Sequence, residues 1–306
     1  MANPTPIHVK TIAEYHRLLE LPAPEHPLVS VVKFEDMAYP PKYASKALMH
    51  NFYSIALKRT FQAKLKYGQQ EVDFDKGVML FMAPMQVLSI SGPPETAAGH
   101  QGWLLLVHPD LLWNTSLANK IRRYEYFDYK ASEALHLSDA EEQMIVDIMQ
   151  KIVQEYRSRL DDFSQNVIVA QLELLLTYAE RFYQRQFITR KAGNHQMITR
   201  MEELLNKYFE ADQQALKGIP SVNYFADELH LSPNYLSRLL KTLTGQSTKQ
   251  FITNKVIDLA KEKLSTTNLG MKEIAYLLGF EHPQSFSKQF KRRTSMSPLE
   301  FRASFN

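Results

Sequence analysis

The chain of 306 residues contains no cysteine. That absence excludes disulfide cross-links, thiolate zinc or iron–sulfur centres, a cysteine nucleophile and any thiol redox switch. Glycine (10) and proline (15) are too sparse for a fibrous or low-complexity chain. No run of 18 or more apolar residues occurs, so no membrane contact through a spanning helix is expected. The stretch from Met1 to Lys10 lacks the apolar segment of a secretory signal, and a cytoplasmic location is the expectation. The first half also lacks a phosphate-binding glycine loop and any nucleophile–base arrangement, so enzymatic activity is not expected.

What is present is unevenly distributed. The length predicts about two domains at roughly 150 residues each. From Gly218 to Asn306 the chain carries 12 basic and 7 acidic residues, whereas the rest carries 24 basic and 26 acidic. A basic final third beside a slightly acidic body suits a nucleic-acid module attached to something else, or ordinary surface variation.

The first half has the pattern of strands. Val29 to Phe34, Phe52 to Leu65, Val78 to Met82, Val87 to Ile90 and Trp103 to Val107 are short apolar runs separated by glycine, proline and turn signals. This spacing predicts an antiparallel barrel or sandwich. The period then changes. Ser138 and Glu141 have the capping-box spacing, and Met144, Ile145, Ile148, Met149, Ile152, Val153 and Tyr156 recur at three and four. A second helix is predicted over 163–183, with Ile168, Leu172, Leu175, Ala179 and Phe182 on one face and Leu174, Leu176 and Tyr178 widening it. That surface suits packing on the strands alone, or on the strands and a second subunit. The stretch 185–194 ends in Lys191-Ala192-Gly193-Asn194 and has the composition of a linker.

The last third contains a repeated pair. Ala226, Leu229 and Leu231 match Ala275, Leu278 and Phe280 at an offset of 49; Ser237, Arg238 and Lys241 match Ser287, Lys288 and Lys291 at an offset of 50. Each copy has the pattern helix, tight turn, helix. Gly279 supplies the positive φ of one turn and His230 occupies the same place in the other. Ser221 and Ser232-Pro233 are helix-start signals, and His282-Pro283 is a weaker one. At about 100° per residue, Asn234, Ser237, Arg238 and Lys241 share one side of their helix, opposite Leu236, Leu239, Leu240 and Leu243. Gln284, Ser287, Lys288 and Lys291 likewise lie opposite Phe286 and Phe290. Amides, hydroxyls and cations are the groups that read base edges in a major groove. Two such helices, joined by a third over 251–264, would enter successive grooves roughly 34 Å apart. Lys241, Lys249, Lys291, Arg292 and Arg293 are placed to neutralise phosphate.

Residues 195–306 resemble the DNA-binding domain of AraC/XylS-family transcription regulators. The motifs are Ala226-x2-Leu229-x-Leu231-Ser232-Pro233-x-Tyr235-Leu236-x-Arg238, Thr244-Gly245, Ile274-Ala275-x2-Leu278-Gly279-Phe280, Phe286-Ser287-Lys288-x-Phe290-Lys291 and Ser297-Pro298-x-Glu300-Phe301-Arg302. The resemblance implies seven helices with two helix-turn-helix units, base contacts from Asn234, Ser237, Arg238, Gln284, Ser287 and Lys288, and double-stranded DNA as partner. Ser295 and His282 depart from the family's usual Gly and Asp. Lys288 often corresponds to Arg, and lysine lacks the planar fork that holds guanine in two bonds. Residues 1–190 look, by order of elements, like the sensory half of such regulators: a cupin-like β-barrel followed by dimerisation helices. The whole is then a multidomain α+β protein. A homodimer, a small-molecule effector and, for an activator, RNA polymerase are the further partners implied. Metal-binding cupins share a His-x-His pair; His8, His16, His26, His50, His100, His108 and His136 include none, so no metal and no cofactor are assigned. Inward barrel residues would be drawn from Phe52, Phe61, Phe74, Phe81 and Trp103. Two other readings remain: an enzyme tethered to DNA by its helical tail, and a DNA-binding protein whose N-terminal half only dimerises.

Overall fold

The computed structural model describes residues 6–38, 40, 47–60, 65–67, 70–72, 77–89, 101–159, 161–189, 191–210 and 218–305. The chain divides into two compact units, Met1–Gln186 and Phe187–Asn306.

In the first unit, β1 (Ile7–Val9) and α1 (Ile12–Leu18) precede β2 (Val29–Lys33), β3 (Ala47–His50), β4 (Tyr53–Thr60), β5 (Leu65–Tyr67), β6 (Gln70–Val72), β7 (Val78–Met82), β8 (Val87–Ser89), β9 (Gln101–Val107) and, after the short helix α2 (Leu117–Lys120), β10 (Leu135–His136). The central sheet has the order β10-β7-β4-β9-β2, with every pair antiparallel. A smaller sheet has the order β1-β3-β8, with β1 parallel to β3, and β5 pairs with β6. Leu104, Leu105, Leu106 and Val107 are all buried, a continuous apolar run that requires cover on both faces of the central sheet. On one face Leu104 and Leu106 pack with Val9, Ile12, Tyr15, Phe34 and Phe52. On the other, the ring of Phe81 lies 4.6 Å from that of Tyr126 and 6.2 Å from that of Tyr183.

Two long helices follow, α3 (Asp139–Arg157) and α4 (Ser164–Thr189). The expected capping box starts α3: the Ser138 hydroxyl accepts from the Glu141 N–H and the Glu141 carboxylate accepts from the Ser138 N–H. The same carboxylate accepts from Arg185 Nη2 at 2.6 Å, and that nitrogen also donates to the His136 carbonyl at 2.8 Å. One acidic side chain thus ties the start of α3 to α4. No described helix is long and apolar enough to cross a membrane.

Four expectations need correction. The described strands form open sheets, and the closure of a barrel is not made among them. Phe52 and Phe81 do not share an interior: Phe81 pairs with Ile55, and alternation along β4 puts Phe52 on the opposite face. Trp103 is half-buried under Lys33, and Phe61 and Phe74 lie outside the described residues, as does His100. Met144 is exposed and Val153 half-buried although α3 buries the rest of its predicted stripe; on α4 the stripe itself is buried, and of the three residues flanking it Leu176 is buried, Tyr178 half-buried and Leu174 exposed. The stretch expected to be a linker is helical on both sides of residue 190, in α4 and in α5 (Lys191–Glu210). The apolar repeat that continues through Met201, Leu205 and Tyr208 sustains α5, and one internal glycine costs only about 1 kcal/mol against alanine.

Lys58 on β4 carries its ammonium 5.1 Å above the Phe34 ring, and burial pushes its pKa down to about 7 from an ordinary 10.5. Between those two values the unfolded chain binds more protons than the folded one, so Lys58 makes stability rise with pH across that window. Urea midpoints taken from pH 7 to 10 should climb in the native chain, and Lys58→Met should flatten the climb.

Candidate nucleic-acid interface

In the second unit α5 is followed by α6 (Val222–Glu228), α7 (Pro233–Thr244), α8 (Thr248–Thr266), α9 (Met271–Leu277), α10 (Pro283–Thr294) and α11 (Pro298–Ala303). These helices share one core. Phe225, Leu236 and Leu240 of the first pair join Ile274, Phe286 and Phe290 of the second through Ile252, Val256, Ile257 and Ala260 of α8. As an α-helix of 19 residues, α8 runs about 28 Å. The apolar side expected for it is present, with Leu259 half-buried at its margin.

The two helix–turn–helix units have the same backbone. In the first, the Leu231 N–H donates to the Ala226 carbonyl at 2.8 Å and the His230 N–H to the Asp227 carbonyl at 3.1 Å. In the second, the Phe280 N–H donates to the Ala275 carbonyl at 2.9 Å and the Gly279 N–H to the Tyr276 carbonyl at 3.0 Å. This is the Schellman termination, which requires a left-handed residue; His230 has φ 57° and Gly279 has φ 79°. Ala226 and Ala275 are fully buried beneath these turns. A side chain at Gly279 would place its Cβ 2.7 Å from the Gly218 carbonyl carbon and 2.8 Å from the Ile219 nitrogen, both backbone atoms. Tyr208 fixes that neighbouring segment by donating its hydroxyl to the Gly218 carbonyl at 2.9 Å.

The helices after the turns begin and end in parallel ways. The Ser232 hydroxyl accepts from the Tyr235 N–H at 3.2 Å, and Pro233 occupies the first helical position. His282 holds the equivalent place before Pro283 without a side-chain bond to the helix. At the other end Gly245 has φ 71° and Ser295 φ 64°, each donating its N–H to the carbonyl of a lysine, Lys241 and Lys291. Beyond these caps the likeness continues. Ser247 with Gln250 starts α8 by a capping box, and Ser297 with Glu300 starts α11 in the same way. The repeat therefore extends at an offset of 50 into a third helix of each unit, farther than Lys241 and Lys291, where the pairing of the sequence ends.

The burial of α7 and α10 divides as the helical wheel predicts. Leu236, Leu239, Leu240, Phe286 and Phe290 are buried, and Leu243, also expected on the apolar side, is half-buried. Asn234, Ser237, Arg238 and Ser287 are half-buried at the edge of the outward face, and Lys241, Gln284, Lys288, Lys291, Arg292 and Arg293 are exposed. Lys249, in the first turn of α8, is exposed as well. Each helix thus gathers its own predicted residues on one face. The residue that sequence inspection misses is Thr248. It is buried, and its hydroxyl lies 3.2 Å from that of Ser237. Among the described residues no three His, Asp or Glu side chains gather closely enough to hold a metal ion.

Two helix-turn-helix units on a common core are the arrangement that the resemblance to AraC-type DNA-binding domains implies. The helix-turn-helix domain family matches residues 225–304. Among curated proteins, the HTH-type transcriptional regulator YfiF of Bacillus subtilis (strain 168) is 31% identical over 144 residues, 47% of this chain and 42% of YfiF. The raffinose operon transcriptional regulatory protein RafR of Pediococcus pentosaceus is 38% identical over 76 residues, 25% of this chain and 27% of RafR. The chain thus spans less than half the length of these relatives. Among solved structures, the C-terminal domain of AraT, a response regulator from Geobacillus stearothermophilus, is similar at 30% identity, covering 35% of this chain and 84% of that one, with a TM-score of 0.31.

Two substitutions test the geometry of the units. Gly279→Ala should destabilise the second unit by more than the about 1–3 kcal/mol of its left-handed backbone alone, because the new methyl meets main-chain atoms that cannot rotate away. Ser295→Gly should stabilise it by about 0.5–1 kcal/mol by relieving a left-handed serine. Thermal unfolding of the full chain reads both, and the two variants should move the same transition in opposite directions.

Proposed function

We propose that this chain is a transcription regulator that binds double-stranded DNA by laying α7 and α10 in two successive major grooves. The observation that carries the proposal is the congruence of the two units, with the same turn hydrogen bonds and the same left-handed C-terminal caps, presenting a polar, cationic face while the apolar face is buried in a common core. Asn234, Ser237, Arg238, Gln284, Ser287 and Lys288 meet base edges. Arginine pairs with guanine, asparagine and glutamine with adenine, and serine with donors or acceptors. Lys241, Lys249, Lys291, Arg292 and Arg293 meet phosphate and supply affinity that depends on salt but not on sequence. The names of the relatives, a transcriptional regulator and an operon regulatory protein, support the same role.

In this reading residues 1–190 form the sensory and dimerisation part and residues 195–306 the reader, in the cytoplasm. Val167 and Leu174 are exposed apolar residues seven apart on α4, the interval that returns to one side of a helix, which supports a homodimer. Effector control by a small molecule, and contact with RNA polymerase in an activator, follow the resemblance of the whole. A non-enzymatic role follows the named relatives. One observation favours the reading in which the N-terminal half only dimerises: Phe52 and Phe81 fill cores on opposite faces of the sheet instead of lining one space.

Selection of bound duplexes from a random pool by the full chain tests the assignment; two enriched words roughly one helical turn apart are expected. Arg238→Ala should weaken binding by about 1–3 kcal/mol and relax preference at one base position. Lys291→Ala should weaken all sequences nearly alike and reduce the salt slope by about one. An Arg238→Ala chain with unchanged affinity and unchanged preference would overturn the placement of α7.

A further inference from the structure

The repeat shows where the two units differ as well as where they agree. On α7, Tyr235, Leu239 and Leu243 recur at intervals of four and form a second apolar flank, beside the side through which Leu236 and Leu240 reach the common core. Their equivalents on α10, at the same offset of 50, are Ser285, Gln289 and Arg293. Leu239 is buried and Tyr235 and Leu243 are half-buried, whereas Ser285 and Arg293 are exposed and Gln289 is half-buried. One recognition helix has an apolar flank to cover, and the other has a polar flank largely in solvent.

Part of that cover comes from ahead of the stretch 195–306. Phe187, in the last turn of α4, is the first residue of the second unit and is 1% exposed. Its ring meets that of Tyr235 edge to face, with centroids 5.0 Å apart and planes at 65°. This is a favoured geometry for two aromatic rings, and it joins a fully buried side chain to the flank of α7. Tyr235 follows Asn234 and stands three residues before Arg238, so its side chain borders the outward face. The Tyr235 N–H is also the one held by the Ser232 hydroxyl at the start of the helix. The ring contact therefore bears on the turns of α7 that carry Asn234 and Arg238.

We infer that Phe187 is a positioning residue for DNA reading: by packing on Tyr235 it fixes the first turns of α7 at the angle from which Asn234 and Arg238 reach bases. This rests on the proposal that α7 reads bases. Bonds to base edges need side chains held to within about 0.5 Å, and a helix braced on two flanks keeps that placement where a helix free to roll loses it. On α10, Ser285 stands in place of Tyr235 and offers no ring to brace. The two words of the DNA site therefore differ: the word read by α7 depends on Phe187, and the word read by α10 does not.

The test measures binding of the full chain to its selected duplex in three forms: intact, with the α7 word scrambled and with the α10 word scrambled. The base preference lost in Arg238→Ala shows which word belongs to α7. Phe187→Ala should bind the intact duplex about two- to tenfold more weakly, the span of one aromatic pair. The deficit should persist when the α10 word is scrambled and vanish when the α7 word is scrambled. Tyr235→Ser should reproduce this pattern; α10 forms with serine at that place, so this variant keeps the test open if Phe187→Ala does not fold. The double variant should bind no more weakly than the weaker single variant. Tyr235→Phe keeps the ring and should bind as the native chain does. A loss equal on all three duplexes marks a merely structural role and overturns the inference. So does a Tyr235→Phe chain as weak as Tyr235→Ser, which assigns the effect to the hydroxyl. An Arg238→Ala chain with unchanged preference overturns base reading by α7, and this inference with it; an Arg238-dependent word with Phe187-independent affinity overturns this inference alone.

Discussion

Everything in the second unit depends on the chain reversing direction within three residues between two short helices. The reversal is possible only if one residue takes a left-handed backbone, and His230 and Gly279 do so. That conformation closes the Schellman bonds to Ala226 and Ala275, and it sets the angle at which the next helix leaves. Given that angle, Leu236 and Leu240, or Phe286 and Phe290, reach the core, and the opposite faces necessarily point outward. The polar faces of α7 and α10 are thus a result of how the turns are terminated. The two turns are not equally tolerant. The turn at His230 is exposed and carries a side chain, whereas that at Gly279 abuts the backbone of Gly218 and Ile219.

Much of this was legible in the sequence because it is local. Caps at Ser138, Ser221 and Ser232, the left-handed positions and the apolar stripes of α7, α8 and α10 each depend on residues within one or two turns of one another. The sheet was not legible to the same degree, because register is a relation between distant segments. Which face Phe81 occupies is decided by its pairing with Ile55, and no feature of either strand alone declares that pairing. The parallel pairing of Ile7 with Leu48, and a strand of two residues at Leu135–His136, are equally silent.

The helical stretch on either side of residue 190 fails for another reason. Its glycine and asparagine are honest turn signals, but they compete with an apolar repeat that begins a few residues later and carries the helix across them. The candidate interface was legible as a set of faces and incomplete as a set of contacts. Thr248 escapes notice because the pairing of the two copies in sequence stops at Lys241 and Lys291, before it is reached. Its hydroxyl meets that of Ser237 across two helices, a contact that only the packing reveals.

The shared core of α8 has a consequence for how such a molecule can change over time. A tandem duplication ordinarily leaves two copies free to part, each foldable and each dispensable. Here the hydrophobic residues of both copies join one core through a single helix, so removing either copy would uncover part of that core. A truncation that removes one unit would strip part of the cover from its sibling. The outward residues of the two units can drift independently, but the units themselves are inherited together.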